Sequence, residues 1–293
     1  MKRKVSTSRK VFMVFNYFIL ITLALLCLVP FINVLAISLS DKAIAATGEV
    51  WLWPKGFTTS IYSYLLQKQP FWQAFLIALE RVALGGGIGV AVTMLTAYPL
   101  SKTKQQLKGR TLYAWFFFIT MLFHGGLIPT YSLIRDLKML DSVWALILPR
   151  TINAYNIVLM LNFFRQIPSE IEEAATIDGA NQFQIFSRIY LPVSLPSVAT
   201  ISLFVIVAHW NAWFDGLIYM NSPAKYPLQS YLQMIIIQSA DAAVQANYGA
   251  MAELSDRTLK CAQIIVSVIP ILCVYPFLQK YFTTGMTLGS VKG

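Results

Sequence analysis

From Val11 to Ile37 the chain runs without one charged side chain. A helix needs about 20 predominantly apolar residues to cross about 30 Å of hydrocarbon, and this run exceeds that length. It is also much longer than the apolar core of a cleavable signal. Lys2, Arg3, Lys4, Arg9 and Lys10 stand just ahead of it, so the sequence predicts a retained first helix with a cytoplasmic start. Five more apolar stretches follow, giving spans at about 11–37, 71–99, 112–134, 142–164, 193–220 and 261–280. Composition agrees: 57% of residues are hydrophobic and 12% charged, against about 45–50% and about 25% in soluble domains. The expected fold class is all-α, an integral membrane protein of six transmembrane helices forming one domain over residues 1–293.

The net charge of +10 raises the question of nucleic acid, but a nucleic-acid binder gathers its basic residues on a soluble face. Here they follow topology. Lys102, Lys104, Lys108 and Arg110 crowd the short connection 101–110, where the positive-inside bias counts most. Six crossings that start in the cytoplasm end there, so both termini, the 101–110 loop and the 165–192 connection are predicted to be cytoplasmic. Trp51 and Trp53 in the outer loop suit the membrane interface or a docking surface. Cys27, Cys261 and Cys273 form no CxxC pair, and His124 and His209 lie far apart, so neither a disulfide framework nor a metal site is expected. Lipid is the implied surroundings, and nucleic acid is not an expected partner.

The 165–192 connection is long and punctuated. Ser169 stands three residues before Glu172, the spacing of a capping box, and predicts a helix from about Glu170 that Gly179 can end. Asn181 and Gln184 repeat the start signal, and Pro192 follows the second stretch. Two helices this short are not stable alone in water, so packing must hold them. Ala174, Ile177, Ile185, Phe186 and Ile189 offer the surface. The pattern leaves two readings open: contact with another subunit, or packing under the chain's own spans.

This stretch, EAATIDGANQFQIFSRIYLP, resembles the EAA signature of permease subunits in bacterial ABC importers, through Glu173, Ala174, Ala175, Gly179, Ile189, Leu191 and Pro192. Asp178, Ala180 and Phe186 are similar to its carbohydrate-uptake, maltose-type branch. The resemblance extends along nearly the whole chain, through HGGLIPTY (124–131), WNAWFDGLIY (210–219) and YPLQ (226–229). HGGLIPTY resembles the subset importing complex or acidic oligosaccharides, such as lipo-oligosaccharide, polygalacturonate and alginate. The resemblance implies a type I importer permease fold in the bacterial inner membrane. It makes residues 168–192 the coupling helices, with Glu172 joining the residues just named as the contact to the ATPase. The implied partners are a second permease, two ATPase subunits, an extracytoplasmic solute-binding protein and an oligosaccharide substrate. The chain contains no GxxxxGK[ST] loop, so ATP and Mg are expected on the ATPases, with no cofactor and no catalytic residue here.

Gly85 and Gly89 have the small-xxx-small spacing of closely packed helices. Glu80, Arg81 and Arg150 are charges inside predicted spans, where they either pair internally or line a path. Trp210 and Trp213 are expected on one helix face, with Asn211 and Asp215 on a neighbouring one. Rings and polar groups so placed suit a transient sugar site or an interhelical hydrogen-bond cluster. An ion-coupled secondary transporter is the alternative, but inverted repeats and a midplane set of ionisable residues are not evident.

Overall fold

The computed structural model describes residues 7–245 and 257–276, and every regular element among them is helical. They fall into two compact units. One comprises residues 7–68 with 235–245 and 257–269, and the other 69–234 with 270–276.

In the first unit, α1 (Thr7–Ser38) is apolar on all sides and exposed from Arg9 to Ile32, as a lipid-facing helix must be. Its end is tied to the following loop, which contains α2 (Lys42–Ala46) and α3 (Ser60–Leu66). The Asn33 amide donates to the Val50 and Trp51 carbonyls at 3.2 and 2.6 Å. Ala36 and Ile37 pack with Ala45, Val50 and Cys261. The loop backbone is therefore held while Trp51 and Trp53 remain 73% and 82% exposed, the arrangement an interfacial anchor requires.

The second unit is built around α4 (Gln69–Ser101). It continues with α5 (Arg110–Leu122), α6 (Leu127–Asp136), α7 (Val143–Thr151) and α8 (Ala154–Phe164). Next come α9 (Ser169–Ile177), α10 (Gln182–Val193, with a π turn over Phe186–Tyr190) and α11 (Leu195–Trp210). The short α12 (Phe214–Tyr219) follows; α13 (Leu228–Gln245) begins in this unit with most of its residues in the first, and α14 (Arg257–Pro276) lies in the first unit up to Ile269. The expected glycine contact is present between α4 and α11. A Cβ on Gly85 would lie 2.6 Å from the His209 ring, and one on Gly89 would lie 3.1 Å from Val205. The largest core of this unit joins Met94 and Tyr98 of α4, Ile157 and Phe164 of α8, Ile185 and Tyr190 of α10, and Ile201 of α11.

By length and composition, α1, α4 and α14 can each cross a membrane unaided. The third, fourth and fifth expected spans are not straight helices. The third bends by 114° between α5 and α6, at Phe123–Gly126, where Gly126 has φ +87°. At about 1.5 Å per residue, the 13 residues of α5 reach only about 20 Å. The fourth bends by 47° between α7 and α8. The fifth, expected over 193–220, starts at an 83° turn from α10 into α11 and its helix ends at Trp210, so α12 is a separate helix and not the outer end of a long one. The sixth was expected to reach residue 280, and its last residues lie outside the described ones. The α6–α7 turn is clipped to the segment after α12. Asp141, at φ +63°, donates its N–H to Tyr219 O and accepts from Asn221 N–H and Lys225 Nζ at 3.1 and 2.6 Å.

Candidate functional site

The 165–192 connection folds as a helical hairpin with two different faces. Helix α9 ends in a Schellman arrangement. Ala180 N–H bonds Ala175 O at 2.9 Å and Gly179 N–H bonds Thr176 O at 3.1 Å, with Gly179 at φ +82°. The capping box at Asn181 and Gln184 is formed, with both bonds at 2.9 Å. The box expected at Ser169 and Glu172 is not. Pro168 takes the N-cap position without a side-chain bond, and Glu172 is turned into the chain.

Glu172 is 7% exposed, and its two oxygens are both engaged. Lys102 Nζ lies 2.7 Å from Oε1, and the Tyr190 hydroxyl donates to Oε2 at 2.6 Å. The same ammonium sits 4.0 Å above the Tyr98 ring and 4.3 Å from that of Tyr190. Tyr98 OH donates to the Gln182 side chain at 2.8 Å. Burial holds Lys102 below the usual lysine range, partly opposed by Glu172. The end of α4 is further fixed by Arg165, which donates to Leu100 O at 3.4 Å, and by Arg110, which donates to Lys102 O at 3.0 Å. Lys102, read in the sequence only as a topological charge, is thus the buried partner of Glu172. No spacing rule joins residues so far apart, which is why the pairing escaped sequence reasoning.

Packing under the chain's own spans holds for one half of the hairpin surface, and the other half is bare. Ile185 and Phe186 are buried in the chain's own core, and Ala175, Ala180, Ile189 and Leu191 pack against it. Glu173, Ala174, Ile177, Asp178, Gly179 and Pro192 are exposed, Ile177 to 86%. Phe183, which the sequence reading did not single out, is 71% exposed beside them.

A second polar group lies where α11 ends. The helix stops at Trp210, and residues 211–213 run irregularly, so Trp210 and Trp213 do not share one helix face as expected. Trp210 is buried with its ring edge-on to Phe75, whereas Trp213 is half-exposed and edge-on to Phe214. Asn211 is exposed at the C-cap. Carbonyls freed by the break find donors. Arg81 Nη1 donates to Ala212 O at 3.2 Å, and Ser230 Oγ donates to Trp213 O at 2.6 Å. Arg81 is fully buried and grips Asp215 with both Nη groups, while Arg150 Nε donates to Asp215 Oδ2 at 3.0 Å. The acid that meets Arg81 is therefore Asp215. Glu80, its chain neighbour, is exposed. Arg150 and Asp215 line a cavity of about 210 Å³ together with Phe214 and Tyr219. His209 lies behind it, buried against Gly85, and neither ring nitrogen has a partner among the described residues.

Residues 107–288 match the family described as "Binding-protein-dependent transport system inner membrane component". The Bacillus subtilis (strain 168) polygalacturonan/rhamnogalacturonan transport system permease protein YtcP is 40% identical over 278 residues, covering 94% of this chain and 96% of its own. Protein LplC of the same organism is 39% identical over 284 residues, covering 97% and 96%. A solved chain from the crystal structure of a bacterial ABC transporter involved in the import of the acidic polysaccharide alginate matches with a TM-score of 0.81 at 32% identity, covering 96% of this chain and all of that one. The helical hairpin with its EAA residues, the bent spans and these similarities lead to one conclusion: the chain belongs to the binding-protein-dependent transport system inner membrane components and is a multi-pass sugar ABC importer permease with the type I permease fold.

Proposed function

We propose that this chain forms one half of a heterodimeric pore that imports acidic oligosaccharides, driven by two separate ATPase subunits and supplied by an extracytoplasmic binding protein. The observation that carries the coupling role is the division of the hairpin. One side is fastened to α4 through Glu172, Lys102 and Tyr190, and the other presents Glu173, Ala174, Ile177 and Asp178 to solvent. An element held rigidly on one side and bare on the other transmits a push. Closure of the ATPases on ATP and Mg moves the hairpin, and the pore passes between inward-open and outward-open states by population shift. The hairpin, the 101–110 loop and both termini then lie in the cytoplasm, in keeping with Lys102, Lys104, Lys108 and Arg110. Support for an acidic substrate comes from the relative named for polygalacturonan and the neighbour involved in alginate import.

The test is uptake of a uronate trisaccharide by proteoliposomes holding this chain, its second permease, the ATPases and the binding protein. ATP inside the vesicles is expected to be required. Uptake driven by an ion gradient without nucleotide would instead identify a secondary carrier.

A further inference from the structure

We propose that Arg150, braced by Asp215, forms a subsite for the carboxylate of one uronate ring in the pore; this rests on the acidic-oligosaccharide reading above. The argument begins with charge. Arg81 already meets both oxygens of Asp215, and the Gly216 N–H donates to Oδ1 at 2.9 Å, so the carboxylate is satisfied before Arg150 arrives. Two guanidiniums then share one anion, which leaves a net positive charge where unpaired charge is costly. One further carboxylate would balance it.

Geometry supports the same partner. The Arg150 side chain is 44% exposed, and Nε is its only nitrogen with an acceptor among the described residues. Its outer edge, Nη1 and Nη2, remains for a carboxylate, and a guanidinium fixed at Nε is already oriented for a two-point contact. The cavity beside it has about 210 Å³, equivalent to about seven waters at about 30 Å³ each, the scale of one pyranose ring. Phe214, 47% exposed on its wall, supplies an apolar face for the ring carbons. Arg150 lies at the C-terminal end of α7, beside the bend into α8, and Asp215 lies in the first turn of α12, so the subsite sits where regular helix is interrupted.

The experiment compares wild type with Arg150→Gln and Arg150→Lys in the complete transporter. Uptake of trigalacturonate is measured in proteoliposomes. Saturation-transfer NMR on the purified membrane complex, without binding protein, reports binding of trigalacturonate and of its methyl ester. The expected result is a loss of trigalacturonate uptake of about tenfold to a hundredfold in Arg150→Gln, from one missing charge-assisted contact. Its NMR signal should vanish, partial recovery should appear in Arg150→Lys, and the ester should bind equally weakly to all three. Wild-type import of trigalacturonate with unchanged uptake and binding in Arg150→Gln would overturn the subsite and leave the acidic-substrate reading standing. Wild-type import of a neutral oligosaccharide and of no uronate would overturn both. If both variants shed the second permease, Arg150 is an interface residue and the subsite falls.

Discussion

Replacing Lys102 with Met should loosen the coupling hairpin more than replacing Glu172 with Gln, although the two side chains form one pair. In Lys102→Met the buried Glu172 carboxylate keeps only the Tyr190 hydroxyl. It is then a buried charge without its cation, and removing one member of a buried pair costs roughly 3–5 kcal/mol. Relief of the lysine's own burial, which already holds its pKa down, lowers the net figure to about 2–4 kcal/mol. In Glu172→Gln the amide oxygen still accepts from Tyr190. The ammonium keeps two ring faces at 4.0 and 4.3 Å, each contributing about 0.5–2 kcal/mol. The double replacement removes both charges and should restore most of the loss. Hydrogen exchange reads the attachment directly. Protection of α9 amides should fall by roughly thirtyfold to a thousandfold in Lys102→Met, less in Glu172→Gln, and recover in the double variant. Equal protection in all four proteins, or a double variant as loose as Lys102→Met, would show that the ion pair does not hold the hairpin.

Gly179→Val meets open space around its new Cβ but must adopt φ +82°, so the cost is backbone strain of at least about 1 kcal/mol. Membrane levels should stay near normal while oligosaccharide uptake per ATP hydrolysed falls steeply in reconstituted vesicles. Gly85→Val is the opposite case, since its Cβ would meet the buried His209 ring at 2.6 Å. Overpacking of about 1–3 kcal/mol or more should appear as a lower thermal midpoint of the purified complex. Asp141 is held below the usual carboxylate range, first by Lys225 and then by the Asn221 N–H. With the folded pKa depressed, its contribution is present above the ordinary value near 4 and is lost as pH falls through the folded one. Proteolysis of the α6–α7 turn should therefore rise on strong acidification, and Asp141→Asn should show the looser turn already at pH 7.

The sequence revealed the parts of this fold that depend on local rules. Long apolar runs announced α1 and α4, the glycine stripe announced a close helix contact on α4 without naming its partner, and Asn181 with Gln184 announced a helix start. Bends were less legible, because hydropathy averages over a window and does not register where backbone direction changes. The break at Phe123–Gly126 and the helix end at Trp210 both fall inside stretches whose averaged hydropathy reads as one span. Least legible were partners. Ser169 and Glu172 satisfied a local pattern, but Glu172 obeys Lys102 and Tyr190, and Arg81 passes over Glu80 to reach Asp215, because burial selects the counter-ion.

Helix α4 carries Arg81 near one polar cluster and Tyr98 in the other, with unbroken helix between them. Seventeen residues at about 1.5 Å each separate the two by about 26 Å, and a hydrogen-bonded helix hardly shortens along its axis. The helix is a connecting rod. An axial displacement of the hairpin reaches the Asp215 grip with little loss, so either Arg81 lets go of the Ala212 carbonyl and Asp215 or α12 travels with it. In the second case the wall formed by Phe214 moves in the same stroke, and the size of the cavity is geared to the position of the hairpin.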